Sequence, residues 1–497
     1  MTVWENNIIA EPDTALNCEV AIVGSGPGGA VTAATLSKAG LDVLLIEEGP
    51  YLPLESCNPF SQEEMVQKYR NRGLTVAFGA PKIQYVEGRC VGGGSEVNSG
   101  LYHRTPSDIL AHWREKFQVQ NLTEAELASH YEACENAVSV SYLPGKPSLA
   151  SLKLQSGATQ LGWESQEVPR WFKYEPSNDP GVSSKGTKQS MTKTYVPEML
   201  RAGGKILANT KIKILRRQGD RWMLQGRYTN SPSPYQIKIT AKTVFIAAGA
   251  VHTPALLRRS GITRNIGNAL QMHPTAKVVA QFSEPVSSAQ LDVAVHQVKE
   301  FAPQLSFGGS ISSLPYLQLA MVDYPEYTQE VNRYWQNMNI YYVSLVGTGR
   351  GTVRCLPGFD DPLVRYHLPS DDLKVLASGL KNLCRLLIAA KAEALFPLLP
   401  NAPRLTKLAE IDQLPQQLPS DTSLMTVHLF SSCPMGENLD LCATNSFGKV
   451  HGQENLYVAD ASLLCTAPGV NPQGTVMAIA RRNALSHVRL NSYIKSG

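Results

Sequence analysis

The sequence predicts an α/β fold in two parts, one built on a parallel sheet and the other, an α+β domain, built on an antiparallel sheet. Three observations support this prediction. The chain opens with a buried strand, a glycine-rich turn and a helix. A set of alternating strands at 211–239 returns to a buried strand at 243–247, and the segment 275–426 changes to longer strand-like stretches crossed by a leucine-striped helix. A chain of 497 residues, 43% of them apolar, is large enough for two or three domains.

The first β-α-β unit begins with a short apolar run at residues 20–23, typical of a strand buried on both faces. Gly24, Gly26 and Gly29 then give the spacing G-x-G-x-x-G. The first glycine permits a tight turn, the second lets the backbone approach a pyrophosphate, and the third lets the helix pack closely on the strand. The next strand ends at Glu47, placed to accept a hydrogen bond from a ribose 2′-hydroxyl. This unit predicts a Rossmann-like dinucleotide site, disfavours NADP, and leaves FAD and NAD open.

A second glycine-rich loop spans residues 88–98 and contains three consecutive glycines. This composition suits a backbone that lies against a flat ligand and offers N–H groups to it. A flexible surface loop is the alternative interpretation.

The segments between these motifs are expected to be scaffold. Residues 50–87 look irregular apart from one helix at 61–70, because prolines interrupt them. Helices are predicted at 107–117 and 124–138, the second opened by a capping box. Residues 171–188 are predicted to be a loop.

The later strands make the dinucleotide domain discontinuous. A three-stranded meander is predicted at residues 211–216, 221–228 and 235–239, and a separate parallel strand at 243–247 leads into a helix with Pro254 in its first turn. We expect the cofactor-binding domain to comprise residues 1–155, 197–274 and 427–497, and the substrate-binding domain to comprise residues 156–196 and 275–426.

Composition excludes several classes of function. The formal net charge is +4 and no basic run is interleaved with aromatic residues, so nucleic-acid binding is not expected. No apolar stretch of roughly eighteen residues and no signal pattern occur, which predicts a cytoplasmic protein without a transmembrane segment. The nine cysteines are scattered without C-x-x-C pairs, which fits a reducing compartment and predicts no metal site.

Together the motifs resemble the glucose-methanol-choline (GMC) oxidoreductases, which are FAD enzymes that oxidise alcohols. The resemblance spans the chain in order: the glycine fingerprint with its acid, the second glycine loop, residues 249–262, His273-Pro274, and two C-terminal segments that contain His428 and Asn471. Within this family, the sequence most resembles the cholesterol oxidase, choline oxidase and long-chain alcohol oxidase branches.

The resemblance implies FAD as cofactor, a lipophilic alcohol as substrate, and oxygen or another electron acceptor as the final oxidant. It also implies that His428 is the active-site base and Asn471 its hydrogen-bonding partner. The residues implied to hold the cofactor are Gly24, Gly26, Gly29, Glu47, Arg89, Gly92, Gly93, Ser95, Asn98, Ala248, Asp460 and Pro472.

These roles agree with elementary chemistry. An alcohol is a poor hydride donor until its hydroxyl proton is removed, and a neutral imidazole can accept that proton. Asn471 can donate a hydrogen bond to the developing alkoxide. A lone histidine such as His428 is otherwise a hydrogen-bonded core residue, and His273 beside Pro274 is expected to have that structural role.

Three other classes of protein remain to be weighed. A non-redox or light-driven lyase, of the cyanohydrin lyase or fatty-acid decarboxylase type, could use the same FAD fold. A flavin-binding partner without turnover would not need both His428 and Asn471. An NAD enzyme would leave the second glycine loop and the C-terminal motifs without a role.

Overall fold

The computed structural model describes residues 5–175, 186–287 and 294–496, except for the side chains of residues 5, 54 and 491–496. Its α-helices are Pro27–Lys38, Gln62–Lys68, Gly94–Val97, Ser107–Phe117, Glu124–Ala137, Leu149–Leu161, Tyr195–Arg201, Gly249–Arg259, Leu314–Ala320, Thr328–Tyr334, Ser370–Ala389 and Gln473–Ser496. Short 3-10 helices lie at Glu5–Asn7, Leu54–Ser56, Arg70–Gly73, Met321–Asp323, Pro325–Tyr327, Trp335–Asn337, Leu408–Gln413 and Ala461–Leu463. The helices predicted at 107–117 and 124–138 are confirmed, and the capping box at Thr123 forms both of its reciprocal bonds.

The first sheet combines a parallel core with an antiparallel meander, as the sequence predicts. In spatial order its strands are Thr210–Gln218, Arg221–Tyr228, Tyr235–Ile246, Ala15–Val23, Val43–Ile46 and Lys205–Leu207, and Leu456–Val458 also pairs with Tyr235–Ile246. The pairs made by Ala15–Val23 are parallel, and all of its last four residues are buried. This central position explains why the strand is a continuous apolar run.

The last meander strand and the returning parallel strand, predicted as separate at 235–239 and 243–247, are one strand, Tyr235–Ile246. Its first half pairs antiparallel with Arg221–Tyr228, and its second half pairs in parallel with Leu456–Val458. The prediction of a break was wrong because a strand can exchange the partner on one edge without turning.

The helix that follows this strand, Gly249–Arg259, contains Pro254 as its sixth residue rather than in its first turn. A proline inside a helix leaves the carbonyl four residues earlier without its amide donor. Here that carbonyl belongs to Ala250, and it accepts a hydrogen bond from Ser432 Oγ at 2.6 Å. Ser432, from the C-terminal part of the chain, therefore supplies the hydrogen bond that Pro254 cannot give to helix Gly249–Arg259.

The second sheet is mainly antiparallel, as predicted. Its strands in spatial order are Thr75–Ala77, Lys82–Tyr85, Ser423–Thr426, Thr275–Gln281, Met338–Leu345, Leu305–Gly309, His296–Val298 and Ser165–Glu167, with Ala394–Pro397 paired to Thr275–Gln281. The first two of these strands correct the expectation that residues 50–87 are irregular. Lys82–Tyr85 pairs with Thr75–Ala77 in a local hairpin and, on its other edge, with Ser423–Thr426, more than three hundred residues away.

One face of the second sheet is apolar and packs against the leucine-striped helix Ser370–Ala389. Helix Leu149–Leu161 packs on the same helix so closely that a Cβ on Gly157 would lie 2.3 Å from the Leu386 carbonyl oxygen. The predicted domain boundary at 155/156 falls inside helix Leu149–Leu161. The opposite face of the sheet faces a cavity.

Within the described residues there are three smaller sheets: Gln271–Met272 with Leu429–Phe430, Arg350–Arg354 with Leu363–His367, and Val140–Ser141 with Arg170–Tyr174 and Gly186–Lys188. The last sheet corrects the loop predicted at 171–188, since both of its described ends are strands; residues 176–185 lie outside the described residues.

No helix in the described part of the chain has the length and apolarity needed to cross a membrane. Within the same residues no cluster of histidine, cysteine and carboxylate side chains could hold a metal ion. All nine cysteines are free thiols.

Candidate active site

Two glycines of the first glycine loop are fixed by backbone contacts that leave no room for a side chain. Gly24 has φ +103°, and a Cβ there would lie 2.2 Å from the Ala247 carbonyl oxygen. A Cβ on Gly29 would lie 1.9 Å from the Gly24 carbonyl oxygen. These two glycines let strand, turn and helix Pro27–Lys38 pack together. A Cβ on Gly26, by contrast, would meet no atom within 4 Å.

The second glycine loop packs directly against the first. A Cβ on Gly93 would lie 2.9 Å from the Cα of Gly26, and the Gly92 N–H donates to Ser25 Oγ at 3.1 Å. Ser95 Oγ donates to the Gly92 carbonyl at 2.7 Å, which holds the turn in shape. The two loops form one wall of the same cavity.

Two buried carboxylates complete this wall. Glu47 accepts hydrogen bonds from the Ser25 N–H at 3.1 Å and the Gly49 N–H at 2.9 Å, and it lines the cavity. Asp460 accepts from the Gly249 N–H and the Ser462 N–H, both at 2.8 Å. Burial raises the pKa of both Glu47 and Asp460, although these hydrogen bonds oppose the effect.

The predicted cofactor residues divide into two groups. Those that line the cavity are Gly24, Gly26, Glu47, Gly93, Asn98, Ala248, Asp460 and Pro472. Those behind the lining are Gly29, Arg89, Gly92 and Ser95. Arg89 is 45% exposed and pairs with Glu48 at 3.3 Å, and of these two residues only Glu48 lines the cavity. Asn98 Nδ2 donates to Gln473 Oε1 at 2.8 Å, which ties the second loop to the start of the C-terminal helix.

The cavity has a volume of about 560 Å³, in the size range of small-molecule sites. It extends from the glycine loops to the polar face of the second sheet, and His428 and Asn471 both line it. Residues from both ends of the chain therefore meet at one site, as the order of the motifs predicts.

The two predicted catalytic residues lie side by side. Nε2 of His428 and Nδ2 of Asn471 are 3.4 Å apart, and Gln297 Nε2 lies 3.4 Å from Asn471 Oδ1. On its other side, His428 Nδ1 is 3.1 Å from His273 Nδ1. The Gly469 N–H donates to Nε2 of His273 at 3.2 Å. His428 is thus held between His273 and Asn471.

Burial keeps these imidazoles neutral near pH 7. It lowers the pKa of His428 to about 4 and that of His273 well below the ordinary value. Burial also lowers the pKa of a third histidine, His103, to about 3, with a smaller contribution from the charge of Lys299. Asn471 lies close enough to oppose this shift in part, yet neither ring nitrogen of His103 meets hydrogen-bond geometry with a described side chain.

Sequence reasoning missed three residues at this centre. His273 contacts His428 directly and is not only a buried structural residue. The His273-Pro274 motif was the sequence feature that could have indicated this role. His103 follows the second glycine loop by five residues, but no spacing marks it. Gln297 sits on a three-residue strand, His296–Val298, and reaches Asn471 only through the tertiary fold.

The residues present fit a dinucleotide cofactor. The space beside Gly26 is open where backbone must approach a pyrophosphate, and helix Pro27–Lys38 begins at the next residue. Glu47 lies at the end of its strand on the cavity wall. Fold and site together define a protein with a Rossmann-type dinucleotide cavity that the second sheet closes on one side.

Comparison with known proteins identifies the family. Residues 65–275 and 348–480 match two models described as GMC oxidoreductase, and residues 22–54 match an NAD(P)-binding Rossmann-like domain. The chain belongs to the GMC oxidoreductase family, which implies a flavin cofactor.

Relatives with similar sequences cover nearly the whole chain. An uncharacterized GMC-type oxidoreductase of Sinorhizobium fredii is 38% identical over 481 residues, which is 95% of each protein. The long-chain-alcohol oxidase FAO3 of Arabidopsis thaliana is 27% identical over 94% of this chain and 67% of its own length. Pyridoxine 4-oxidase from Mesorbium loti has the same fold, with a TM-score of 0.67 at 20% identity over 95% of this chain and 99% of its own.

Proposed function

We propose that this protein is an FAD-dependent oxidoreductase that converts a lipophilic alcohol to an aldehyde or ketone. The observation that carries the proposal is the pair His428 and Asn471, 3.4 Å apart, on the cavity that the two glycine loops also line. The long-chain-alcohol oxidases among the relatives favour an alcohol as the substrate class.

The cofactor contacts proposed for this chain use both glycine loops. Gly24, Gly26 and the start of helix Pro27–Lys38 would hold the pyrophosphate, and Glu47 the adenosine ribose. Asp460, Asn98 and the other lining residues named above would surround the rest of the cofactor. When bound, the flavin would supply the redox chemistry by accepting the hydride of the carbinol carbon.

The protein's own residues handle the proton and the developing charge. His428 would accept the hydroxyl proton at Nε2, the ring nitrogen beside Asn471. Asn471 Nδ2 would donate a hydrogen bond to the alkoxide as the C–H bond breaks. The alcohol thus loses one proton to His428 and one hydride, and oxygen or another acceptor finally takes up the electrons.

The hydrogen bonds of His273 set a condition on this role. Because the Gly469 N–H occupies Nε2 of His273, neutral His273 carries its proton on Nδ1 and donates it toward His428 Nδ1. Neutral His428 then carries its own proton on Nε2, where it can donate but not accept, and the Asn471 amide must turn so that Oδ1 rather than Nδ2 faces that nitrogen. The base form requires the Gly469 contact to open so that His273 accepts from His428 instead. Gly469 lines the cavity, so a ligand that accepts a hydrogen bond from the Gly469 N–H would favour this exchange.

The proposal is tested by anaerobic flavin reduction. Purified protein should carry FAD, and the right alcohol should bleach the flavin absorbance. His428→Ala should keep FAD and reduce it on the order of a hundredfold more slowly, because proton removal then has no positioned acceptor. His112→Ala changes an exposed histidine on helix Ser107–Phe117 and is the matched control.

Two results would contradict the proposal. A protein that gains no FAD on reconstitution would remove the cofactor, and a near-normal reduction rate in His428→Ala would remove the base. Product formation without any change in flavin absorbance would instead favour the lyase alternative.

A further inference from the structure

The face of the second sheet that lines the cavity is polar and cationic. Along strand Thr275–Gln281, Ala276 and Val278 are buried in the core, whereas the alternating Thr275 and Lys277 line the cavity. The neighbouring strands contribute Ser344, Tyr342, Ser306 and Gln297 to the same lining, and Lys299 follows directly. This face therefore carries two lysines above the catalytic pair, where a purely apolar substrate would need none.

Neither lysine has an anionic partner among the described residues. No carboxylate there forms an ion pair with Lys277 or Lys299, and the closest polar contact of Lys277 Nζ is Met425 Sδ at 2.8 Å. Burial alone lowers the pKa of each lysine to about 8. A half-buried ammonium without a counter-charge is costly, and an anionic ligand would remove that cost.

Lys299 is the lysine closer to the chemistry. It lies two residues after Gln297, whose side chain reaches Asn471. Its charge contributes to the lowered pKa values of His103 and His273, whereas Lys277 makes no such contribution. A group bound to Lys299 would therefore lie on the side of the cavity where Gln297 contacts Asn471 and where His103 is buried.

The cavity mouth has the opposite character. Leu319, Val322 and Val427 line the cavity and are 46%, 68% and 54% exposed, respectively. An apolar rim over a polar floor suits a molecule with a polar end and an apolar body.

We propose that the alcohol oxidised here is a hydroxy acid with an apolar body, and that Lys299 binds its carboxylate. The hydroxyl would lie between His428 and Asn471, the carboxylate on the sheet face, and the apolar body toward the rim. This inference rests on the proposed alcohol oxidation and narrows its substrate class.

The test compares substrates and two lysine variants in the FAD-loaded protein. Medium-chain hydroxy acids, with the hydroxyl next to, one carbon from, or at the far end from the carboxylate, are each assayed beside their methyl esters. At least one acid should have a higher kcat/KM than its ester. Lys299→Met should lower kcat/KM for that acid about thirtyfold or more and leave the ester within a few-fold. Lys299→Arg should keep most of the preference.

Lys277→Met is the matched control, because it removes the same charge from the same sheet face. It should keep the acid preference within about threefold. Binding of a fatty acid that lacks the hydroxyl, measured by calorimetry, gives a readout without turnover, and its Kd should rise in Lys299→Met only.

The outcomes separate the two proposals. Equal use of acids and esters, loss of preference in Lys277→Met alone, or an equal loss for esters in Lys299→Met would overturn the carboxylate site while alcohol oxidation stands. Fatty-acid binding through Lys299 without flavin reduction by any alcohol would support the anion site and reject the proposed oxidation.

Discussion

The two ends of the cavity are built in different ways. At the glycine-loop end, backbone does most of the positioning: Gly24 and Gly29 leave no room for a Cβ, and the carboxylate of Asp460 is bonded to its neighbours. At the histidine end, side chains from distant segments meet, and neither ring nitrogen of His103 meets hydrogen-bond geometry with a described side chain. At the glycine-loop end the protein's own groups fix the backbone and bond the Asp460 carboxylate. At the histidine end, the ring nitrogens of His103 are left for a ligand to hydrogen-bond.

The largest effect is expected from a substitution that disrupts the glycine-loop end of the cavity. Gly29→Ala places a Cβ against the rigid Gly24 carbonyl, so we expect it to destabilise the protein by about 1–3 kcal/mol or more and to abolish cofactor binding. Gly26→Ala is the matched variant, because its Cβ meets no protein atom and its φ of −62° suits alanine.

We expect Gly26→Ala to unfold like wild type in urea yet to bind FAD at least about tenfold more weakly, since the new methyl group enters the pyrophosphate space. Equal FAD affinity in Gly26→Ala and wild type would show that this space does not hold the cofactor.

A smaller effect is expected from variants of His273, which test where His428 carries its proton. His273→Asp supplies a group that accepts from His428 Nδ1 and leaves Nε2 free to take a proton, whereas the isosteric His273→Asn can also donate. Anaerobic flavin reduction should therefore be about tenfold faster in the Asp variant than in the Asn variant. The Asp charge should also move the acid limb of the pH profile upward. Identical rates and profiles would reject the tautomer condition derived from Gly469.

The pH dependence of stability tests the histidine end of the cavity without any substrate. His103, His273 and His428 have pKa values in the folded protein below the value near 6.5 expected in the unfolded chain. Between about pH 6.5 and pH 4 the unfolded state binds more protons, so the free energy of unfolding should fall as pH decreases. Each histidine contributes up to about 1.4 kcal/mol per pH unit in that window.

Urea unfolding at about pH 7, 6 and 5 measures this slope. His428→Asn should reduce it, and His112→Asn, which changes an exposed histidine, should not. A slope that is the same in His428→Asn and wild type would mean that His428 is not buried as a neutral ring.

Local patterns predicted much of the scaffold. The capping box at Thr123, the leucine stripe of Ser370–Ala389 and the apolar first strand each depend on neighbours within a few residues, and each is found. Strand Lys82–Tyr85 forms a local hairpin with Thr75–Ala77, but these strands of four and three residues are too short to show a clear alternation, and the other partner, Ser423–Thr426, is remote. Remote partners likewise explain His273, whose importance comes from contacts with residues at 428 and 469.

By itself the sequence determined the glycine-loop end, since a tight turn, a close backbone approach and a terminal acid require particular residues at particular spacings. The tertiary structure decided the histidine end. Only the folded chain places Gln297 against Asn471, His273 between Gly469 and His428, and Lys299 on the cavity wall without a carboxylate partner among the described residues. A side chain's partners and its loss of water set its chemistry, and both depend on long-range packing rather than on local sequence.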